Sequence, residues 1–396
     1  MTWKNLDQRN LNGKRVLTRV DINVPMNGND VGDATRIERI VPTIQKIIAA
    51  NGIPIMISHF GRPGAVKDDK YSLKHLIPCL TEHLGQNIVF TDVDEIETII
   101  KQSKSLKIGQ IMLLENIRFR TGETNNDPVL AKKLAEIGDV YCNDAFSTAH
   151  RAHASTVGIA NLLPNCVGCL MEAELLNLEE ILSKPKGPVI AIVGGSKVST
   201  KIDLLMNLIK KVDTLVITGG MANTFLRAQG HNIGKSIFEQ NLLKTADKIC
   251  KLAQKESCQL ILPSDVIVAG SLKRDVPWEL FEATKCPENQ MILDIGPKTV
   301  NNIKQAINRS QTLIWNGPMG AFEVYPFNKA TDDVATFVSQ LTQKGKLISV
   351  AGGGDTISAL KSTRSESKFS YISTAGGAFL EWIEGKKLPA IEALIN

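Results

Sequence analysis

Several features are missing from this sequence, and each absence removes a class of function. No block of five or six consecutive lysines and arginines occurs, and a net charge of +5 is small for 396 residues. Nucleic-acid and membrane-surface roles therefore have no electrostatic support. No run of 18 apolar residues is present to span a bilayer. The opening stretch MTWKNLDQRN is polar, unlike a secretory signal, so the expected location is cytoplasmic. Neither a Walker A sequence nor a strict G-x-G-x-x-G with a later acidic residue occurs, which weighs against a nicotinamide dehydrogenase. Gly230-His-Asn-Ile-Gly234-Lys235-Ser236 is one residue short of Walker A and follows a helical pattern, so it reads as a helix-ending loop capped by Gly230. The seven cysteines are odd in number and scattered, as reduced thiols are. The single C-x-x-C, Cys166 to Cys169, lacks a second pair at zinc spacing and reads as small buried residues near a helix start.

What is present is the composition of a soluble globular protein, 43% apolar and 22% charged, long enough for two or three domains. Apolar β-branched runs alternate with amphipathic stretches throughout. That pattern predicts an α/β fold of repeated βα units with mostly parallel, doubly wound sheets. In the first half the runs end in polar groups: RVLTRV before Asp21-Ile22-Asn23, IPIMIS before His59-Phe60-Gly61-Arg62, IMLLE before Asn116-Ile117-Arg118, and DVYC before Asn143-Asp144. In the second half they end in glycine, at Gly194, Gly219, Gly317, Gly352 and Gly376. Ligands of open α/β sheets bind at the carboxyl ends of strands, so two kinds of strand end predict two domains with different ligands. Tight turn geometry explains any one glycine doublet but fits five poorly. The boundary is expected at KPKGP, residues 184–188, after the helical pattern MEAELLNLEEIL.

Nine of thirteen arginines and five of six histidines precede residue 160. A planar guanidinium suits carboxylate and phosphate, and Arg62, Arg118 and Arg151 follow strand ends where an anion would sit. Arg36 opens a helical stretch and has weaker standing, while Arg9, Arg15, Arg39 and Arg120 read as solvated surface. In VIAIVGGSKVSTK, two glycines after a strand let amides approach an anion, with a helix N-terminus behind them. Lys197 and Lys201 are expected at i and i+4 on one face of that helix. They are either a solvated pair or phosphate ligands, and their place after Gly-Gly favours the second. Asp355 in AGGGDT suits a magnesium ion, an ordinary helix N-cap, or both.

The ordered set RVDIN, SHFGRP, LLENIRF, NDAFSTAHRAHAST, VGGSKVSTK, TGGMANTF, WNGPMGAFE, AGGGDT and STAGGAFLEWIEGK resembles the phosphoglycerate kinase family. The match runs from about residue 5 to the C-terminus. The resemblance implies two Rossmann-like domains facing a cleft and joined by a hinge. Residues 1–183 would bind 3-phosphoglycerate or 1,3-bisphosphoglycerate, and 184–379 would bind ADP or ATP with Mg²⁺. Residues 380–396 would dock back onto the first domain. It implies triose contacts at Asp21, Asn23, Arg36, His59, Phe60, Gly61, Arg62, Arg118 and Arg151. Nucleotide contacts would come from Lys201, Glu323, Gly353, Gly354, Asp355 and Thr356, with Asp355 on the metal. Arg36, Lys197, Gly354 and Gly377 would surround the transferring phosphoryl. A monomer is implied, with small-molecule partners only. The sequence departs from the commonest family pattern at Phe60, Ser147, Ser196, Thr200 and Ala375, and none of these removes an anion ligand.

Overall fold

The computed structural model describes residues 3–28, 30–183, 185–373 and 375–395. Lys184, where the expected linker begins, and Asn396, which ends the expected docking segment, lie outside them. The chain forms two compact units: Met1–Leu176 with Lys387–Asn396, and Asn177–Lys386. The change of unit thus falls inside the helix Cys169–Ser183, not at residue 184: the helix starts on the first unit, where Asp144 accepts its Leu170 and Met171 amides, and its later turns belong to the second. The return falls at 387, not 380. The helix Gly377–Ile383 stays with the second unit, where Asn207 donates to the Ile383 carbonyl and Lys386 pairs with Asp203 at 3.1 Å.

The first unit contains β1 (Arg15–Arg19), β2 (Met26–Asn27), β3 (Asp30–Val31), β4 (Ile53–Ile57), β5 (Ile88–Thr91), β6 (Ile111–Leu114), β7 (Val140–Asn143) and β8 (Asn165–Val167). Six of them form a parallel sheet in the order β5-β6-β4-β1-β7-β8, and β2 and β3 form a small antiparallel pair. Every residue of β4, β6 and β7 is buried, as a sheet covered on both faces requires. The helix Thr35–Ala49 covers it with Ile37, Ile40, Ile44 and Ile47, spaced three and four apart on one face. Asp144, just past β7, accepts from the Leu170 and Met171 amides and closes the N-terminus of Cys169–Ser183. Cys166 is buried in β8 and Cys169 opens that helix; both are free thiols. The segment from Lys387 packs here through the helix Pro389–Ile395. Ala390 N donates to Ala149 O, and Asn165 Nδ2 donates to Ala393 O at 3.2 Å.

Three arginines read as solvated surface are fastenings instead. Arg9 donates to the Asn165 carbonyl, Arg120 donates to those of Val93 and Asp94, and Arg15 pairs with Asp139 at 2.6 Å. Arg39 is half-buried.

The second unit contains β9 (Val189–Val193), β10 (Thr214–Ile217), β11 (Gln259–Ile261), β12 (Asp265–Ala269), β13 (Trp278–Glu282), β14 (Met291–Ile295), β15 (Thr312–Asn316), β16 (Ile348–Gly352) and β17 (Tyr371–Ser373). Its parallel sheet runs β11-β10-β9-β15-β16-β17. A separate antiparallel sheet, β13-β12-β14, was not foreshadowed by the alternation of apolar runs, because β13 is almost wholly exposed. The core gathers Ile192, Trp315, Val334 and Leu360 between sheet and helices.

Candidate active site

In the first unit, the carboxyl ends of β1, β4, β6 and β7 bring one carboxylate and several cations together. Asp21 follows β1 and is buried; its Oδ2 accepts from Arg36 Nη1 at 2.8 Å and from the Ser147 hydroxyl. Burial opposes its charge, but the Arg36 guanidinium and the hydrogen bonds from Ser147 and the Asn23 amide outweigh it and hold the carboxyl below its usual range. His59, after β4, is also buried, and Arg19 Nη2 stands 3.1 Å from its Nδ1. An arginine can only donate, so Nδ1 accepts and the ring proton sits on Nε2. Burial first, then the Arg19 charge, keeps His59 neutral well below its ordinary range.

Asn23 accepts the Gly61 amide at 2.9 Å, and Asn116 clasps both backbone groups of Phe60, so the turn after β4 is held from two sides. Arg118 is buried and gives Nη1 to Gly61 O at 2.6 Å, leaving Nε without a partner. Desolvation, then repulsion from Arg151, Arg19 and Arg62, pulls its guanidinium down to about 10. Burial is the larger cause; the repulsion that follows it shows three further arginines around Arg118 with Glu123 opposing them. Arg62 is exposed, and Arg151 Nε reaches His150 Nε2 at 3.1 Å. The expected residues of this unit therefore converge, with Ser147 bonded to the central carboxylate. Arg19 carries a role that sequence reading missed: it lies inside an apolar strand, yet it is fully buried and sets the His59 tautomer.

In the second unit, glycines let backbones touch. A Cβ on Gly194 would stand 1.9 Å from the Pro318 carbonyl oxygen, so the loops after β9 and β15 approach only because no side chain intervenes. Lys197 and Lys201 do not share a helix face, contrary to expectation. The helix starts at Ile202, and residues 194–201 form a turn in which Gly195 takes a φ of 130°. Lys197 is exposed at the tip. Lys201 turns inward and donates to Gly194 O at 2.6 Å and Asn316 O at 3.2 Å. Burial pulls its ammonium down to about 8, against the opposing pull of Asp355.

Asp355 is exposed in the first turn of the helix Gly354–Ser362, whose N-cap is Gly353, so the N-cap reading is wrong by two positions. Thr356 is buried and accepts the Gly317 amide at 2.7 Å. Gly377 opens its helix exposed to solvent. A cavity of about 340 Å³ is lined by Gly195, Gly220, Pro318, Phe322, Glu323 and Asp355, among others. Lys235 also lines it, although its loop had been read as merely helix-ending; Gly230, at a φ of 87°, does follow that helix. Among the described residues no group of three or more His, Cys, Asp and Glu could hold a metal. Asp355 alone fits a magnesium ion that keeps phosphates and water as its other ligands.

Two predictions arise from this geometry. A Cβ on Gly354 would meet nothing within 4 Å, so Gly354→Ala should leave the thermal midpoint unchanged or slightly raised. Its kcat/KM should nevertheless fall, because the methyl would occupy space needed by an anion on the loop amides; unchanged steady-state kinetics would refute this. On the expectation that this cavity takes ADP or ATP, affinity should be flat below pH 8. Above it, affinity should weaken by up to tenfold per pH unit, since binding must then reprotonate Lys201, whose ammonium loses its proton at about 8. Calorimetric titration of ADP from pH 7 to 9.5 checks this, and Lys201→Arg should abolish the slope.

Comparison with known proteins covers the whole chain. The family model described as phosphoglycerate kinase matches residues 6–386. A phosphoglycerate kinase of Ruegeria pomeroyi is 53% identical over 396 residues, all of both chains, and one of a Jannaschia species is 54% identical over 394, covering 100% of this chain and 98% of that one. The solved structure of phosphoglycerate kinase from Coxiella burnetii superposes with a TM-score of 0.92 at 40% identity, over 100% of this chain and 99% of that one. That of the Pyrococcus horikoshii enzyme gives 0.81 at 27% identity, over 99% and 98%. Among the described residues no helix is long and apolar enough to cross a membrane.

Proposed function

This chain belongs to the phosphoglycerate kinase family and carries its activity, reversible phosphoryl transfer between 1,3-bisphosphoglycerate and ADP, and on that premise we propose which residues perform it. The triose sits on the first unit. The observation that carries this is the arginine cluster, whose mutual repulsion around Arg118 an anionic substrate relieves. Arg62, Arg118 and Arg151 bind phosphate and carboxylate oxygens, with His59, Asn23 and the Phe60-Gly61 turn shaping the pocket and Asp21 orienting Arg36. The nucleotide sits in the glycine-lined cavity of the second unit. Glu323 contacts its ribose, Lys201 and the loop from Gly353 to Thr356 hold its phosphates, and Asp355 holds the magnesium ion that travels with it.

When bound on Asp355, the ion would neutralise charge on the phosphates. Neither direction needs a protein nucleophile or base, because the attacking group is already anionic, an ADP oxygen or a carboxylate. The protein's task is in-line positioning and charge stabilisation. Arg36 of the first unit and, in the second, Lys197 with the amides at Gly354 and Gly377 stabilise charge on the phosphoryl in flight. Transfer requires the two bound substrates to meet and water to be kept from the acyl phosphate. The protein acts as a cytoplasmic monomer.

The test is a coupled assay of ATP-dependent 3-phosphoglycerate phosphorylation, paired with thermal shift. MgADP and 3-phosphoglycerate should each stabilise the protein, and Arg118→Ala should remove only the second shift. Loss of both shifts together, or of neither, would refute the division of ligands.

A further inference from the structure

The second unit contains a cavity larger than the nucleotide pocket, about 470 Å³, for which phosphoryl transfer has no use. It opens between the antiparallel sheet and the helices Pro297–Asn308 and Lys329–Gln343. The lining is apolar and flat-faced, from Trp278, Leu280, Pro297, Val300 and Pro326. Trp278 and Leu280 alternate on β13 and so face one side of it, yet they are 45% and 50% exposed. Large apolar side chains gathered at the mouth of a concavity are what a ligand would cover.

The charges at the rim are unbalanced. Lys304 is satisfied by Asp333 at 2.6 Å. Lys329, by contrast, stands 5.5 Å over the Trp278 ring and 5.4 Å over that of Tyr325, and among the described residues it meets no carboxylate. An ammonium held between aromatic faces at the edge of an apolar cavity is placed to pair with one anionic group on a ring-shaped body.

The far wall adds a connection. Asp294 and Ile295 line both this cavity and the nucleotide pocket. The Asp294 carboxyl accepts the Ala330 amide at 3.0 Å, in the first turn of the Lys329 helix. Its Oδ1 lies against Gly320 of the nucleotide pocket so closely that a Cβ there would come within 2.3 Å. Burial raises this carboxyl well above its usual range, as suits a group enclosed between two cavities. A ligand that shifts the Lys329 helix therefore presses on the Gly320 loop through one side chain.

We propose that this cavity is a binding site for a small planar aromatic carboxylate, its ring between Trp278, Leu280 and the two prolines, its anion on Lys329, and that its occupancy is linked to the nucleotide pocket across β14. The ligand site stands independently of the proposed nucleotide contacts; the linkage rests on them.

Calorimetric titration of 2-naphthoate into the full-length protein tests it, with MgADP absent or saturating. One molecule should bind. MgADP should change its affinity only up to a limit, because both ligands are held at once, and naphthoate should change ADP affinity by the same factor. Lys329→Met and Leu280→Glu are surface changes outside the catalytic machinery, so both should keep wild-type kcat. Both should weaken naphthoate roughly tenfold or more. Neutral 2-naphthalenemethanol should bind more weakly than naphthoate to wild type and equally to wild type and Lys329→Met. No binding, affinity untouched by both substitutions, or displacement by MgADP without limit would overturn the site. Simultaneous binding with no mutual effect would overturn the linkage alone.

Discussion

Lys197→Ala should lower kcat by roughly 10²–10³-fold, the scale on which removal of one preorganised donor to a developing charge is felt. The reason lies in how differently the two lysines of one loop are held. Lys201 is committed to the carbonyls of Gly194 and Asn316; removing it leaves the Gly194 carbonyl without its donor, while Asn316 O keeps the Gly194 amide, and disturbs the loop itself. Lys197 is exposed at the tip, near the half-buried carboxylate of Glu239, which accepts from Ser199. Its loss should leave the thermal midpoint within a degree or two while turnover collapses. Stopped-flow and steady-state kinetics read this directly. If kcat stays intact and only the nucleotide KM rises, Lys197 holds the nucleotide and does not meet the phosphoryl in flight.

Arg36→Ala should give a loss of similar size, with ADP affinity unchanged. Arg36 is 37% exposed in its side chain and bound to a carboxylate only 8% exposed, so one partner is free to meet substrate while the other is committed. The pair also contributes stability. The Asp21 carboxyl is held below its ordinary value, so that contribution is fully present above the unfolded carboxylate pKa and is lost as pH falls through the lowered folded value. Without Arg36, burial becomes the stronger influence and the carboxyl rises, moving acid unfolding to higher pH. Arg36→Lys should restore much of that acid stability but little of kcat, since an ammonium lacks the planar fork. A wild-type kcat in Arg36→Ala would exclude the role.

The strands were legible because they are buried on both faces, and a fully buried strand is an uninterrupted apolar run, as in VIAIV and TLIWN. Strand ends were legible for the opposite reason: polarity or glycine breaks the run at its carboxyl end. The antiparallel sheet was not, because WELFE lies open to solvent and carries no such signal. Helix starts were misjudged where the backbone decided. Lys197 and Lys201 have helical spacing, but the left-handed Gly195 bends the chain into a turn first. Arg19 escaped notice since a charged residue within an apolar strand suggests an outward face, whereas here Ser155, the Val20 carbonyl and His59 receive its donors inside. Lys235 was discarded with the near-Walker loop containing it, yet it reaches the glycine-lined cavity by tertiary placement alone.

The return of the chain to the first unit at Lys387 governs the order in which this protein can be assembled as it is synthesised. The second unit is one continuous stretch, Asn177–Lys386, and has all its strands once that stretch has emerged. The first unit is begun earlier but stays open until the helix Pro389–Ile395 arrives with buried Ile391 and Leu394 and supplies Ala393 O to Asn165 on the edge strand β8. Its strand-end arginines are thus all translated early, in a sheet whose final edge is covered late. Topologically, the second unit is an insertion within the first, so the unit begun first on the ribosome is the one completed second.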